Sequence, residues 1–291
     1  MIAMLAALQL LWVEKAPLPR AQAGGAAALL DGTMIIAGGT TWENGTKLWL
    51  NEVQLYDVRA NTWRSGPALP EAVAYAPFAQ SGTALEIFGR TIWRIDSSLS
   101  GWTKAGVAPG DHLLGRAARM GRRVFLFGGC TDIADLVTCS DAVWMREDGG
   151  AWREVAKLPG GAVALSAVAV LGGRVYLFGG CSAPVVNRAE AWSFDPASFQ
   201  FQRRHDLSSP RRGLTASVAG GRILLFGGYT DSGFTADVWS YDPRHDQYAR
   251  ESPLPAAMTS IEFFAHGNVL LGAGGEDRMK SRSARTFAAT R

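Results

Sequence analysis

Val124-Phe125-Leu126-Phe127-Gly128-Gly129 recurs almost letter for letter as Val175-Tyr176-Leu177-Phe178-Gly179-Gly180 and Ile223-Leu224-Leu225-Phe226-Gly227-Gly228. Looser copies are Met34-Ile35-Ile36-Ala37-Gly38-Gly39 and Val269-Leu270-Leu271-Gly272-Ala273-Gly274-Gly275, with a degenerate sixth at Ala84-Leu85-Glu86-Ile87-Phe88-Gly89-Arg90. A short β-branched and aromatic run that stops at glycines reads as a strand entering a turn. Most copies follow a turn pair: Asp31-Gly32, Ser81-Gly82, Gly172-Gly173, Gly220-Gly221 or His266-Gly267. Downstream, a large apolar residue and an aromatic one recur seven positions apart: Tyr56 and Trp63, Ile95 and Trp102, Met145 and Trp152, Phe194 and Phe201, Tyr241 and Tyr248. A turn signal such as Leu69-Pro70, Leu158-Pro159 or Leu254-Pro255 closes the unit six residues later. Each unit therefore holds four short strands, a to d, repeated at intervals of roughly 50 residues.

Composition narrows the function. The 291 residues are 47% apolar and 19% charged, enough hydrophobic mass for a core. No apolar run approaches the ~18–20 residues of a membrane-spanning helix, so a soluble chain is expected. The net charge is only +3, and its 24 Arg and 5 Lys are scattered, which argues against a nucleic-acid binder. Three Cys in a chain of this length do not make a disulfide framework.

The glycine pairs, the spaced aromatics and the period together resemble kelch repeats, which build β-propellers. The resemblance covers essentially the whole chain. It implies an all-β fold, a six-bladed kelch β-propeller forming one domain over residues 1–291. The ends complete the ring. Trp12 has its own Leu18-Pro19, so Leu10 to Lys15 reads as a strand d lacking strands a to c, while the last repeat stops after Phe287 and lacks a strand d. Blade 6 is thus expected from about 256–291 plus 9–18, which removes an open edge. Residues 1–8 are apolar and extra to the ring. They read as a cap, with the remnant of an export signal as the alternative, so the cytoplasm is slightly favoured over the periplasm.

Most memorable residues have structural readings. Glycine pairs let backbones crowd, and the tryptophans fill the space between blades. Glu52, Asp141, Glu190 and Asp237 recur at one repeat position and predict an ion pair or hydrogen bond between blades. Arg20 and Arg211-Arg212, which follow the turn prolines, also read as structural repeat residues. Cys130, Cys139 and Cys181 are expected as buried free thiols, although one disulfide is geometrically feasible. In a propeller the b–c and d–a connections share one face. Only His112 reaches that face, which leaves no metal site and no His-based nucleophile; no cofactor is expected.

Two b–c connections remain. Gly38 to Trp49 carries Trp42, Glu43, Lys47 and Trp49, which suits a sugar stacked on indole rings or, equally, a tryptophan plugging the blade. Gly274 to Arg282 carries Glu276 and Arg282. A Glu at a channel mouth is pushed toward neutrality by burial, and an Arg presents a fork to a carboxylate. A solvated, self-paired loop is the plainer reading.

Gly-Glu followed by Arg six residues after the Glu is similar to the active-site segment of bacterial N-acetylneuraminate epimerases (sialic acid mutarotases). That resemblance implies an isomerase interconverting anomers of a sialic acid or related sugar, with Glu276 as acid/base and Arg282 holding the substrate carboxylate. Arg116, Arg212, Lys47, Trp42 and Trp49 would line the site. Here Arg278-Met279-Lys280-Ser281 replaces the Lys-Pro-Gly turn of those enzymes. The alternative is a non-catalytic propeller that binds a protein or glycan on the same loop face.

Overall fold

The computed structural model describes residues 9–290. Six four-stranded antiparallel sheets succeed one another along the chain. Blade 1 uses Ala26–Leu30, Thr33–Ala37, Val53–Asp57 and Thr62–Ser65. Blade 2 uses Phe78–Ser81, Ala84–Phe88, Thr91–Asp96 and Thr103–Val107. Blade 3 uses Arg116–Met120, Arg123–Phe127, Ala142–Glu147 and Arg153–Lys157. Blade 4 uses Ala167–Leu171, Arg174–Phe178, Ala191–Phe194 and Phe201–Arg204. Blade 5 uses Thr215–Ala219, Arg222–Phe226, Val238–Asp242 and Gln247–Arg250.

Blade 6 takes Glu262–His266, Val269–Ala273 and Thr286–Thr290 from the end of the chain and Leu11–Glu14 from its start. Leu11 pairs with Thr290 and Glu14 with Phe287, so the expected closure is realised. The expected cap at residues 1–8 and the terminal Arg291 lie outside the described residues. Among the described residues no helix is long and apolar enough to cross a membrane.

The core lies between blades. One cluster joins Ala28, Ile35 and Leu55 of blade 1 to Leu85, Ile87 and Ile95 of blade 2. Another joins Phe125, Phe127 and Met145 of blade 3 to Val175, Leu177 and Phe194 of blade 4. Each large side chain buried this way contributes roughly 1.5–3 kcal/mol. The seven-residue spacing has a direct cause: Tyr56 faces Trp63, Phe194 faces Phe201 and Tyr241 faces Tyr248 across strands c and d. Each of these ring pairs has its centroids 4.9 Å apart.

The outer aromatics also carry polar bonds across blade boundaries. Trp63 Nε1 donates to the Ala16 carbonyl at 2.8 Å, Trp102 to Pro67 at 2.8 Å, Trp152 to Val107 at 3.0 Å, and Trp12 to Ser252 at 3.3 Å. The Tyr248 hydroxyl does the same to His205 at 2.9 Å. Buried indoles need such partners.

The glycine pairs form a second set of links. The N–H of the second glycine donates to the d–a connection leading into the next blade: Gly39 to Val73 at 2.7 Å, Gly180 to Arg211 at 2.9 Å, Gly228 to Met258 at 2.8 Å, Gly275 to Gln22 at 3.0 Å. Gly38 has φ +67°, and a Cβ there would collide with the Val73 carbonyl oxygen. Blade 2, with Gly89-Arg90, has no second glycine for this link.

The recurrent acids split. Glu52 pairs with Arg20 and Asp237 with Arg211, both cations on a connection arriving from the preceding blade. Asp141 pairs instead with Lys157, and Glu190 with Arg188, inside one blade. The cysteine expectation is corrected in part: Cys130 and Cys139 form a disulfide, and only Cys181 is free and buried. An isolated antiparallel bridge between Cys130 and Cys139 folds that connection back on itself and brings the two sulfurs together.

Candidate functional site

Gly24, Tyr75, Leu114, Leu165, Gly213 and Ser260 occupy one position in the six d–a connections, and all have φ between 56° and 70°. Their backbones form a chain of hydrogen bonds around the channel. Tyr75 N–H donates to the Gly24 carbonyl at 2.7 Å. Leu114 donates to Tyr75, Leu165 to Leu114, Gly213 to Leu165 and Ser260 to Gly213, each at 2.8 Å. The left-handed backbone is costly for Leu and Tyr, and this ring holds it in place.

Above the ring lies a pocket of about 240 Å³. The ring contributes Tyr75, Leu114, Leu165 and Ser260, and the b–c connections contribute Lys47, Ile133, Phe234 and Glu276. Two cations stand on aromatic faces in its walls. Lys47 Nζ lies 4.6 Å from the Tyr75 ring centre, and the Arg212 guanidinium 4.3 Å from that of Tyr229. Such contacts are worth about 0.5–1 kcal/mol where partly exposed. Arg212 also donates to Asn187 Oδ1 at 2.8 Å. Among the described residues neither cation has a carboxylate within ion-pair distance.

Glu276 is half-buried and lines this pocket. Burial pushes its carboxyl above the usual range, opposed by the charges of Arg282 and Lys47. Arg282 Nη1 lies 3.1 Å from Glu276, and the Arg282 side chain is only 4% exposed. Its other donors reach Thr40 Oγ1 at 2.8 and 3.0 Å, the Tyr75 hydroxyl at 3.0 Å and the Ser281 carbonyl at 2.7 Å. The guanidinium is therefore fully engaged within the protein, beneath the pocket wall.

The Trp42 to Trp49 stretch is a hairpin, with Thr40 opposite Trp49 and Trp42 opposite Lys47. Asn44 and Gly45, at φ 50° and 77°, form its turn, a left-handed pair that Asn-Gly signals in sequence. Trp49 is 42% exposed and meets Tyr75 edge-on at 5.7 Å. Trp42 is half-buried, and its indole nitrogen is sealed without a partner.

Arg116 sits deeper. It lines a neck below the ring, of about 40 Å³, with Tyr75, Leu165 and Glu262. Below that a channel of about 310 Å³ is walled by the six strands a. Arg116 Nη1 lies 3.3 Å from Glu262 Oε1, and its Nε donates to the Ser166 carbonyl. Burial pushes the Glu262 carboxyl up, opposed by Arg116.

His112 is a repeat residue. It is buried, and its Nδ1–H donates to the Gly128 carbonyl at 3.0 Å. Gln22 bonds the Gly38 carbonyl and Arg211 the Gly227 carbonyl from the same position in other blades. Burial lowers the His112 pKa, keeping the ring neutral. Among the described residues no group of three His, Cys, Asp or Glu side chains could hold a metal ion.

Of the exposed large apolar residues, Leu11, Val13, Val107 and Val170 lie on strands, and the others stand around the same rim. Trp49, Val137, Val185, Val186 and Met279 all lie on b–c connections, with Val137 at 77% and Met279 at 68% exposure. A polar rim would be the default for connections that face water.

The profile of the KLHDC2/KLHL20/DRC7 Kelch-repeats domain matches residues 115–289, more than half of the sequence, and the Kelch motif matches residues 23–70. The chain belongs to the kelch-repeat family. This kelch chain is 25% identical to Kelch domain-containing protein 3 of Bos taurus over 249 residues, covering 74% of the chain and 63% of that protein. It is 40% identical to Kelch-like protein 36 of Mus musculus over 63 residues, 22% of the chain and 10% of that protein. It is 25% identical to Kelch-like protein 38 of Homo sapiens over 227 residues, 75% of the chain and 37% of that protein. The chain thus spans less than two-thirds of the length of these relatives. They carry kelch names from animals and lend no support to the narrower mutarotase resemblance or to a bacterial type.

Sequence reasoning brought Lys47, Arg212 and Glu276 to one pocket. It missed Tyr75, Leu114, Leu165 and Ser260, whose shared offset ahead of strand a was the available signal. It also missed Ile133, Tyr229, Phe234 and Met279, apolar residues on otherwise polar connections.

Proposed function

We propose that this kelch propeller is a non-catalytic recognition module that holds a protein partner on its loop face. The observation that carries this reading is the meeting of exposed apolar tips with a central pocket whose two cations, Lys47 and Arg212, lack carboxylate partners. Apolar contact around a polar anchor is the usual anatomy of a binding surface. An acidic group on the partner would complete the charge. Affinity purification with the wild type, with Lys47→Glu/Arg212→Glu, and with Arg244→Glu on the opposite face tests it. A partner retained by the wild type and Arg244→Glu but lost from the double variant supports the reading. Equal partner lists from all three would reject it.

One observation favours a second reading, the sugar mutarotase: the Glu276 carboxyl, raised by burial, lines the same pocket. In that reading Glu276 shuttles the anomeric proton, a role worth roughly 10²–10⁴-fold. Arg282 fits it poorly, because its donors are already engaged by Glu276, Thr40, Tyr75 and Ser281. Proton NMR of α/β equilibration of N-acetylneuraminate decides: no acceleration by the wild type, or undiminished acceleration by Glu276→Gln, removes the assignment.

A further inference from the structure

The crown of b–c connections is broken at one place. Residues 38–52, 128–141, 179–190, 227–237 and 274–285 form these connections in blades 1, 3, 4, 5 and 6, whereas Gly89 and Arg90 alone make it in blade 2. The rim is therefore low over blade 2. The second-glycine link is missing there too, so the connection carrying Asp111 and His112 receives no bond from blade 2 of the kind Gly39 gives Val73.

What borders the gap gives it a chemistry. On one side stands the hairpin with exposed Trp49 and with Lys47, both against Tyr75. On the other stands the disulfide-closed connection that carries Ile133 and Val137. Inward of the gap, Tyr75 and Leu114 line the central pocket together with Arg212, the Tyr75 ring lying over Gly24. At the outer end Arg90, with its side chain 82% exposed, reaches Asp111 at 3.0 Å. The gap is thus a radial trough with aromatic and aliphatic walls, a lysine at its inner shoulder and an arginine beyond.

We propose that this trough is the entry track of an extended polypeptide segment of the partner. The segment lies radially over Gly89-Arg90, sets apolar side chains against Trp49 and Ile133, and presents an acidic residue to Lys47 and Arg212. A full crown of six connections would admit a ligand only from above; a crown open at one blade also accepts a chain that continues past the rim. Charge complementarity chooses an acidic segment, because among the described residues neither Lys47 nor Arg212 has a carboxylate within ion-pair distance, while Glu276 makes its ion pair with Arg282. The inference rests on the loop-face reading above and specifies its occupant.

The test uses the full chain and a phage-displayed library of random linear twelve-residue peptides. Selected peptides, remade with a fluorescent label, are measured by anisotropy on four proteins. These are the wild type, Trp49→Ala, Lys47→Ala/Arg212→Ala, and a variant with Glu-Asn-Gly-Thr inserted between Gly89 and Arg90 to raise the rim. The expected result is enrichment of peptides containing Asp or Glu, with affinity reduced at least tenfold by the insertion and by Trp49→Ala. The same insertion between Gly267 and Asn268, on the opposite face, leaves affinity unchanged. Peptides that lose affinity on Lys47→Ala/Arg212→Ala but bind the insertion variant normally would overturn the track and leave the loop-face reading standing. Peptides insensitive to every loop-face change would overturn both. Failure to enrich any linear peptide overturns the extended occupant. Should the insertion variant not fold, a benzophenone-bearing peptide on the wild type replaces it. Cross-links within 71–75 or 108–114 support the track, and cross-links confined to 229–234 and 276–279 overturn it.

Discussion

Arg116 and Glu262 meet 3.3 Å apart across the central channel, although they start from strands a of blades 3 and 6. Those blades face each other in a ring of six, so the pair is a strut spanning the lumen below the pocket. With side chains 17% and 20% exposed, neither charge is well hydrated. Removing one partner strands the other. Arg116→Ala or Glu262→Ala alone is expected to cost about 3 kcal/mol, the lower end for a buried pair. The double variant Arg116→Met/Glu262→Met is expected to recover most of that loss. Urea midpoints read it; a double variant as unstable as the singles would contradict the strut.

Trp63 ties blade 1 to the seam where the chain closes, through its bond to the Ala16 carbonyl. Trp63→Phe keeps the ring against Tyr56 and loses the donor, for an expected loss of about 1 kcal/mol. Trp63→Ala loses both and should cost about 3 kcal/mol or more. Equal costs for the two in thermal or urea melts would assign the residue to packing alone.

Gly38 and Gly267 have similar backbones, at φ 67° and 59°, but different surroundings. A Cβ on Gly267 meets nothing within 4 Å, whereas one on Gly38 would strike the Val73 carbonyl oxygen. Gly267→Ala is expected to cost about 1–2 kcal/mol, the left-handed penalty alone. Gly38→Ala should cost clearly more and weaken the contact between blades 1 and 2, seen as faster hydrogen exchange at Gly39.

The His112 pKa is lowered by burial. Between its depressed value and the ordinary value near 6.5, the unfolded chain holds a proton that the folded one does not. Stability contributed by His112 is therefore complete above about pH 6.5 and is lost as pH falls. His112→Gln, which places the Gln22 type of side chain at the equivalent position, should keep the bond to Gly128 and remove the titration. Its urea midpoint should fall less than that of the wild type between pH 7.5 and 5.5. Equal falls would dismiss His112 as the cause.

The cysteine pairing predicts a thiol count. Cys181 is buried and its thiol is pushed up by that burial, so no thiol should react quickly in the native protein. One should appear on unfolding without reductant and three with it. Cys139→Ser should lower stability by about 2–3 kcal/mol, the effect of opening a short loop.

The ring, its closure and its strand order were legible because each depends on a pattern repeated in sequence. Gly38-Gly39 and Gly227-Gly228 announce turns whatever lies beside them, and Trp12 announces an outer strand without a blade of its own. The pocket was legible where chemistry stands out against the repeat: Lys47, Arg212 and Glu276 are charged residues beside strand ends. The rest depends on distance through space. Nothing local says that Arg116 crosses to Glu262. Nothing local says that Thr40, Tyr75 and Ser281 absorb the donors of Arg282, or that His112 does the work of Gln22. Leu114 and Leu165 had only their shared offset ahead of strand a to mark them, because a leucine held in a left-handed backbone looks like any other leucine.

The closing strand sets a timetable. Leu11–Glu14 leaves the ribosome before any other strand of the propeller, and its partner Thr286–Thr290 leaves last. Blades 1 to 5 are each complete as soon as their four consecutive strands emerge. Blade 6 must wait, and until its last strand emerges Leu10 and Trp12, which the finished blade packs beside Phe263 and Phe287, stay on an unpaired strand. The joint that makes the finished ring hard to open is thus also what exposes the nascent chain longest to mispairing, and it is there that a chaperone would have its longest opportunity to bind.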